Sequence, residues 1–130
     1  MPKPTIFDDE IAEETTAQYS AILKDEDDNV IPAASLASFT LTLYVKDVGG
    51  TTIINGRDGQ DVLNANNVVV DAFGAVLWTM QVADNAIQNS ALDYERHYAL
   101  WEFTWTRGGG GTGLGRHEVV FIIRNLVKVP

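Results

Sequence analysis

The chain has no cysteine, only two histidines and four prolines in 130 residues, and half as many basic residues (9) as acidic ones (18). Without cysteine there is no disulfide framework, no thiolate zinc site and no cysteine nucleophile. The shortage of base leaves a formal net charge of −9, and phosphates would repel it, so sequence-independent nucleic-acid binding is not expected. Long hydrophobic runs are missing too. The stretch Val119-Val120-Phe121-Ile122-Ile123 is far short of the ~20 residues that a membrane span needs. The start, Met1-Pro2-Lys3-Pro4, leads into acidic residues and not into an apolar signal core, so neither a membrane nor a secretory route is expected.

What is present is the composition of a folded protein, 45% hydrophobic, at a length that fits one domain. Charge is unevenly spread: residues 1–30 carry nine acids and two lysines, residues 101–130 two acids and four bases. This divides the chain into an acidic N-terminal arm (1–14), a folded body (15–126) and a short tail (127–130). Such an arm is either a solvated face or a segment that docks on a neighbour's basic surface. In the docking reading Phe7, Asp8 and Asp9 are its contact residues and Lys128 marks the basic tail.

From about Thr15 the pattern is one of strands and turns. Residues 16–23 alternate loosely and end in Lys24-Asp25-Glu26-Asp27-Asp28-Asn29, a turn composition. Ala37, Phe39, Leu41, Leu43 and Val45 alternate with Ser38, Thr40 and Thr42, as in a half-buried strand. Gly49-Gly50 and the cluster from Asn55-Gly56 to Gln60 are turns; Val68-Val69-Val70 is a short strand closed by Asp71-Ala72-Phe73-Gly74. Val76, Trp78, Met80 and Val82 alternate again, and residues 83–93 hold the one plausible helical turn. Turn signals at roughly 8–12-residue spacing predict an all-β, antiparallel β-sandwich of about seven to eight strands.

The last hairpin allows a register. Pairing Thr106 with Arg116 across the glycine run sets Trp105, Phe103, Trp101 and Ala99 opposite His117, Val119, Phe121 and Ile123 on one apolar face. That register separates His97 from His117 by eight residues, roughly 25 Å, too far to share a metal.

Other constellations are weak as sites. Asp25, Asp27 and Asn29 fit three positions of a calcium loop, but Val30 and Leu36 replace its glycine and glutamate, so a hairpin turn is expected. The run from Gly108 to Gly115 has no following helix or Lys-Ser/Thr pair, which excludes a phosphate loop and leaves a mobile tip. Gly109, Gly110 and Leu114 are its candidate partner contacts. Glu102 and Glu118 are diagonal neighbours, as in a retaining glycosidase, but have no aromatic subsite beyond Tyr98. Trp78, Trp101 and Trp105 interleave with aliphatics and belong in the core, not on a sugar platform. No catalytic, metal or cofactor site is expected.

The order of elements carries a resemblance. It runs from Ala21-Ile22-Leu23-Lys24-Asp25-Glu26-Asp27-Asp28-Asn29-Val30-Ile31 through the alternating strand of residues 37–46 to Asp71-Ala72-Phe73-Gly74-Ala75-Val76-Leu77-Trp78 and a late aromatic hairpin. This resembles the immunoglobulin-like β-sandwich domains of tailed-bacteriophage structural proteins, including the N-terminal domain of baseplate upper proteins. Leu92-Asp93-Tyr94 stands where that family often has G-x-Y. The resemblance implies a non-enzymatic virion protein, assembled in the host cytoplasm and present in multiple copies. It would be a capsid decoration or head–tail neck component contacting capsid, portal, neck or tail proteins. A carbohydrate- or receptor-binding module of a tail or baseplate is the alternative.

Overall fold

The computed structural model describes residues 5–6, 11–12, 14–47, 50–107 and 109–126. They form an all-β, sandwich-like fold without α-helices. Its strands are β1 (Thr5–Ile6), β2 (Ile11–Ala12), β3 (Gln18–Ile22), β4 (Leu36–Asp47), β5 (Gly50–Ile53), β6 (Gln60–Asp61), β7 (Val68–Val70), β8 (Ala75–Thr79), β9 (Tyr94–Thr106) and β10 (Thr112–Arg124). The larger sheet runs β1-β10-β9-β4-β5, with β2 also on β10 and β6 also on β4; the smaller runs β3-β8-β7. Ten strands exceed the expected seven to eight because three of them are dipeptides that no periodicity reveals.

The alternation of β4 and β9 sorts their faces as the pattern predicts. Phe39, Leu41, Leu43 and Val45 are buried, as are Ala99, Trp101, Phe103 and Trp105. Ala37 departs from the pattern. A register irregularity between Leu36 and Ser38 leaves it exposed, and Leu36 takes the buried place opposite Trp105. Between the sheets, Trp78 meets Trp101 edge-on at 5.3 Å and Phe121 at 5.7 Å, and Tyr19 meets Phe121 edge-on at 5.5 Å. Such pairs add about 0.5–1.5 kcal/mol each beyond area burial.

The hairpin register differs from the sequence-based one. Thr106 pairs with Thr112, which places Trp105 opposite Gly113, Phe103 opposite Gly115 and Trp101 opposite His117. The slip is four residues, an even number, so the buried set is unchanged and only the partners move. Its cause is steric: a Cβ on Gly113 would overlap the Trp105 ring, and one on Gly115 the Phe103 ring. These two glycines are strand residues under aromatic rings, not part of a mobile tip. The turn that remains is short and centred on Gly109 to Gly111.

The described strands of the N-terminal arm pair with the body. β1 and β2 lie parallel to β10, pairing Thr5 with Val119 and Ile11 with Ile123, and the larger sheet is therefore mixed. Ile11, an apolar residue among acids, is 4% exposed and part of the core.

Two aspartate turns bring the motifs of the resemblance together. Asp25 Oδ1 accepts the N–H groups of Asp27 and Asn29 at 2.9 and 3.0 Å; Asp71 Oδ1 accepts those of Phe73 and Ala75 at 2.8 and 3.0 Å. These are side-chain-closed turns of the kind that Asp favours. The Leu23 N–H donates to Gly74 O at 2.9 Å, and the Ile31 N–H to Leu23 O at 2.9 Å. Gly74 has φ +75°, and a Cβ there would lie 2.7 Å from Ile31 O, so this crossing needs glycine on two counts.

Candidate interaction surfaces

The two candidate carboxylates of the hairpin are each committed to a partner. Glu102 receives Arg116 Nε at 3.1 Å, while Glu118 accepts the hydroxyl of Tyr44. Burial, and secondarily that bond to Glu118, pushes the Tyr44 hydroxyl well above its ordinary range. The carboxylates are diagonal neighbours as the sequence predicts, but each is tied to a side chain on the outer face of the larger sheet. His97 and His117 are four residues apart along the hairpin, roughly 14 Å and not the 25 Å of the sequence register.

His97 is buried, with Nε2 2.7 Å from Glu95 Oε1 and Nδ1 3.2 Å from Asp84 O. Glu95 also accepts the N–H groups of Gln88 and Asn89, each at 2.8 Å. Burial pushes the Glu95 carboxyl up, but the hydrogen bonds from His97, Gln88 and Asn89 outweigh it and hold it below its ordinary value.

A second buried cluster escaped the sequence reading. Arg57 and Asp84, each 1% exposed, form a two-pronged ion pair, and Asn55 Nδ2 donates to Asp84 Oδ1, the oxygen that also receives Arg57 Nε, at 2.9 Å. The Arg57 guanidinium also lies 5.6 Å from the Trp78 ring. Its sequence trace was the turn cluster around Asn55 and the short helical turn, observed at Val82–Asn85, which supplies Asp84. Nothing in the local sequence linked the two.

The expected contact residues divide into two groups. Gly109, Gly110 and Leu114 are exposed at the hairpin end, Leu114 to 66%. Phe7, Asp8, Asp9 and Lys128 lie outside the described residues. All three tryptophans are buried in the core, Trp105 at 7% exposure included, so the aromatic face of the hairpin presents no stacking platform.

The most conspicuous surface belongs to the smaller sheet. On its outer face Leu77 of β8 stands beside Val69 of β7 and Ser20 of β3, and Ile22 stands beside Ala75. Ile22, Val69 and Leu77 are exposed on this face, and Phe73 and Val30 are exposed in the turns that follow β7 and β3. Exposed large apolar side chains on all three neighbouring strands of one sheet face are more than the scattered single exposure normal for a surface. The signal for this face was a failure of alternation: Val68-Val69-Val70 and Val76-Leu77-Trp78 are apolar at successive positions, so both faces of β7 and β8 are apolar.

A cleft of about 420 Å³ lies where β4 ends and β9 begins; Lys46 Nζ sits 4.3 Å from the Tyr98 ring there, and Arg96 and Tyr94 are also in its wall. No family model matches the chain, and no curated protein or solved structure does either.

Proposed function

We propose that this chain is a non-enzymatic structural protein of a tailed-bacteriophage virion, a capsid decoration or head–tail neck component that acts in multiple copies through protein–protein contacts. The observation that carries this reading is the exposed apolar outer face of the smaller sheet, around Ile22, Val69 and Leu77. A solvated domain gains nothing from such a face, whereas an assembling one buries it. The immunoglobulin-like grammar of the sequence supplies the virion context, with assembly in the host cytoplasm. Burial of Trp78, Trp101 and Trp105 takes the three tryptophans out of reach of a sugar, which favours this reading over the carbohydrate-binding alternative.

Light scattering of the purified chain, alone and mixed with shell or neck components of its source phage, tests the proposal. A ring-sized oligomer or stoichiometric binding supports it. A persistent monomer that binds none of them overturns it.

A further inference from the structure

The two edges of the smaller sheet are treated differently. At the β7 edge the outward N–H groups are already used: Val70 donates to Asn64 Oδ1 at 2.8 Å and Val68 to Ala65 O at 3.1 Å. That is an edge closed against strand addition. At the β3 edge, bonds from Leu23 N–H to Gly74 O and from Met80 N–H to Ala17 O fix which residues face β8. By antiparallel alternation, Gln18, Ser20 and Ile22 turn their N–H and C=O groups away from it. No strand among the described residues lies beyond β3. The five residues of the strand carry no charge, no proline and no bulge.

Beside this edge a cleft of about 150 Å³ opens between the sheets, lined by Tyr19, Ala21 and Leu23 on one side and Phe39, Trp101 and His117 on the other. A cavity of that size holds about one benzene-sized ring. Trp101 is 3% exposed, and its indole N–H has no hydrogen-bond partner.

We infer that β3 is a strand-addition site. Its occupant is an extended segment of another protein that places a bulky apolar side chain in this cleft and carries basic residues at its ends. Main-chain bonds to Ser20 and Ile22 would supply affinity, and the cleft, filled by alternate side chains of the added strand, selectivity. The basic ends follow from charge: Glu14 precedes β3, and of the four acids in the turn after it Asp28 pairs with Lys24 and Glu26 with Arg107, which leaves Asp25 and Asp27 without an ion-pair partner among the described residues and the turn net acidic. The same charges disfavour a second copy, since antiparallel self-pairing about Ser20 sets Glu14 of one chain against Glu26 of its mate. The inference deepens the assembly reading by giving the form of the partner segment, and rests on it only for there being a partner.

The test uses the synthetic peptide KVTFTVK, with KVTATVK and a scrambled sequence as controls, against the whole chain followed by amide and indole NMR. The expected result is saturable binding that slows exchange at the Ser20 and Ile22 amides and shifts the Trp101 indole N–H. KVTATVK should bind at least tenfold more weakly. Ser20→Pro should abolish binding without changing the melting profile, because the lost N–H faces away from β8. Equal binding of the scramble, binding unaffected by Ser20→Pro, or no binding would each overturn the site. Self-association of the free chain relieved by Ser20→Pro would also overturn it, assigning the edge to a second copy. If Ser20→Pro still binds virion components while the wild-type chain ignores the peptide, the edge proposal fails and the assembly reading stands.

Discussion

Arg57 and Asp84, 27 residues apart, meet inside the protein with Nε 2.6 Å from Oδ1 and Nη2 3.1 Å from Oδ2. The pair ties the loop after β5 to the 3₁₀ turn after β8. Gln81 completes the connection, its N–H donating to Asp84 Oδ2 at 2.8 Å. Removing either charge strands the other in the interior. Asp84→Ala is expected to cost about 3–5 kcal/mol, read as a lower midpoint in urea denaturation. A midpoint within the error of the wild type would show that the guanidinium finds water or another acceptor.

Gly74 and Gly110 both have positive φ, +75° and +91°, but only Gly74 is crowded. Gly110→Ala meets open space and should cost only the backbone term, about 1–2 kcal/mol. Gly74→Ala adds overlap with the Ile31 carbonyl and should be clearly the worse of the two in thermal melts. Equal melting temperatures would refute the crossing described here.

Gly113→Ala tests the hairpin register. In the register observed, the new methyl group displaces the Trp105 ring and costs about 1–3 kcal/mol, with a change in tryptophan emission. If Thr106 instead paired with Arg116, position 113 would be in the turn and emission would not change.

Glu95 makes part of the stability dependent on acid. Its folded-state value lies below the unfolded one, so its contribution is present above the ordinary carboxylate range, about 4.3, and is lost as pH falls through the lower folded value. Thermal midpoints between pH 6 and 3 should therefore fall more steeply for the wild type than for Glu95→Gln. Parallel slopes would remove Glu95 from the acid transition.

Much of the fold was legible because burial on one face of a strand imposes a period of two. Leu41, Leu43, Trp101 and Phe103 announce their faces without any knowledge of partners. The hairpin register was not legible for the same reason: an even slip leaves those faces intact, so alternation cannot choose among registers. The choice fell to Gly113 and Gly115, which look like turn residues in the sequence and serve as spaces for rings. The candidate surface was half legible. Val69 and Leu77 break alternation visibly, but the outer edge at β3 appears only when β8 is known to lie on its other side.

By itself, then, the sequence determined the all-β class, the inward faces of the long strands and the aspartate turns at Asp25 and Asp71. Each of these rests on local forces, namely side-chain period, turn chemistry and backbone conformation. Only the tertiary structure decided that Ile11 joins the core, that Arg57 finds Asp84, and that one edge of the smaller sheet is capped while the other has no strand beyond it among the described residues. Those outcomes depend on which distant segments share a solvent-excluded space, and no local pattern encodes that.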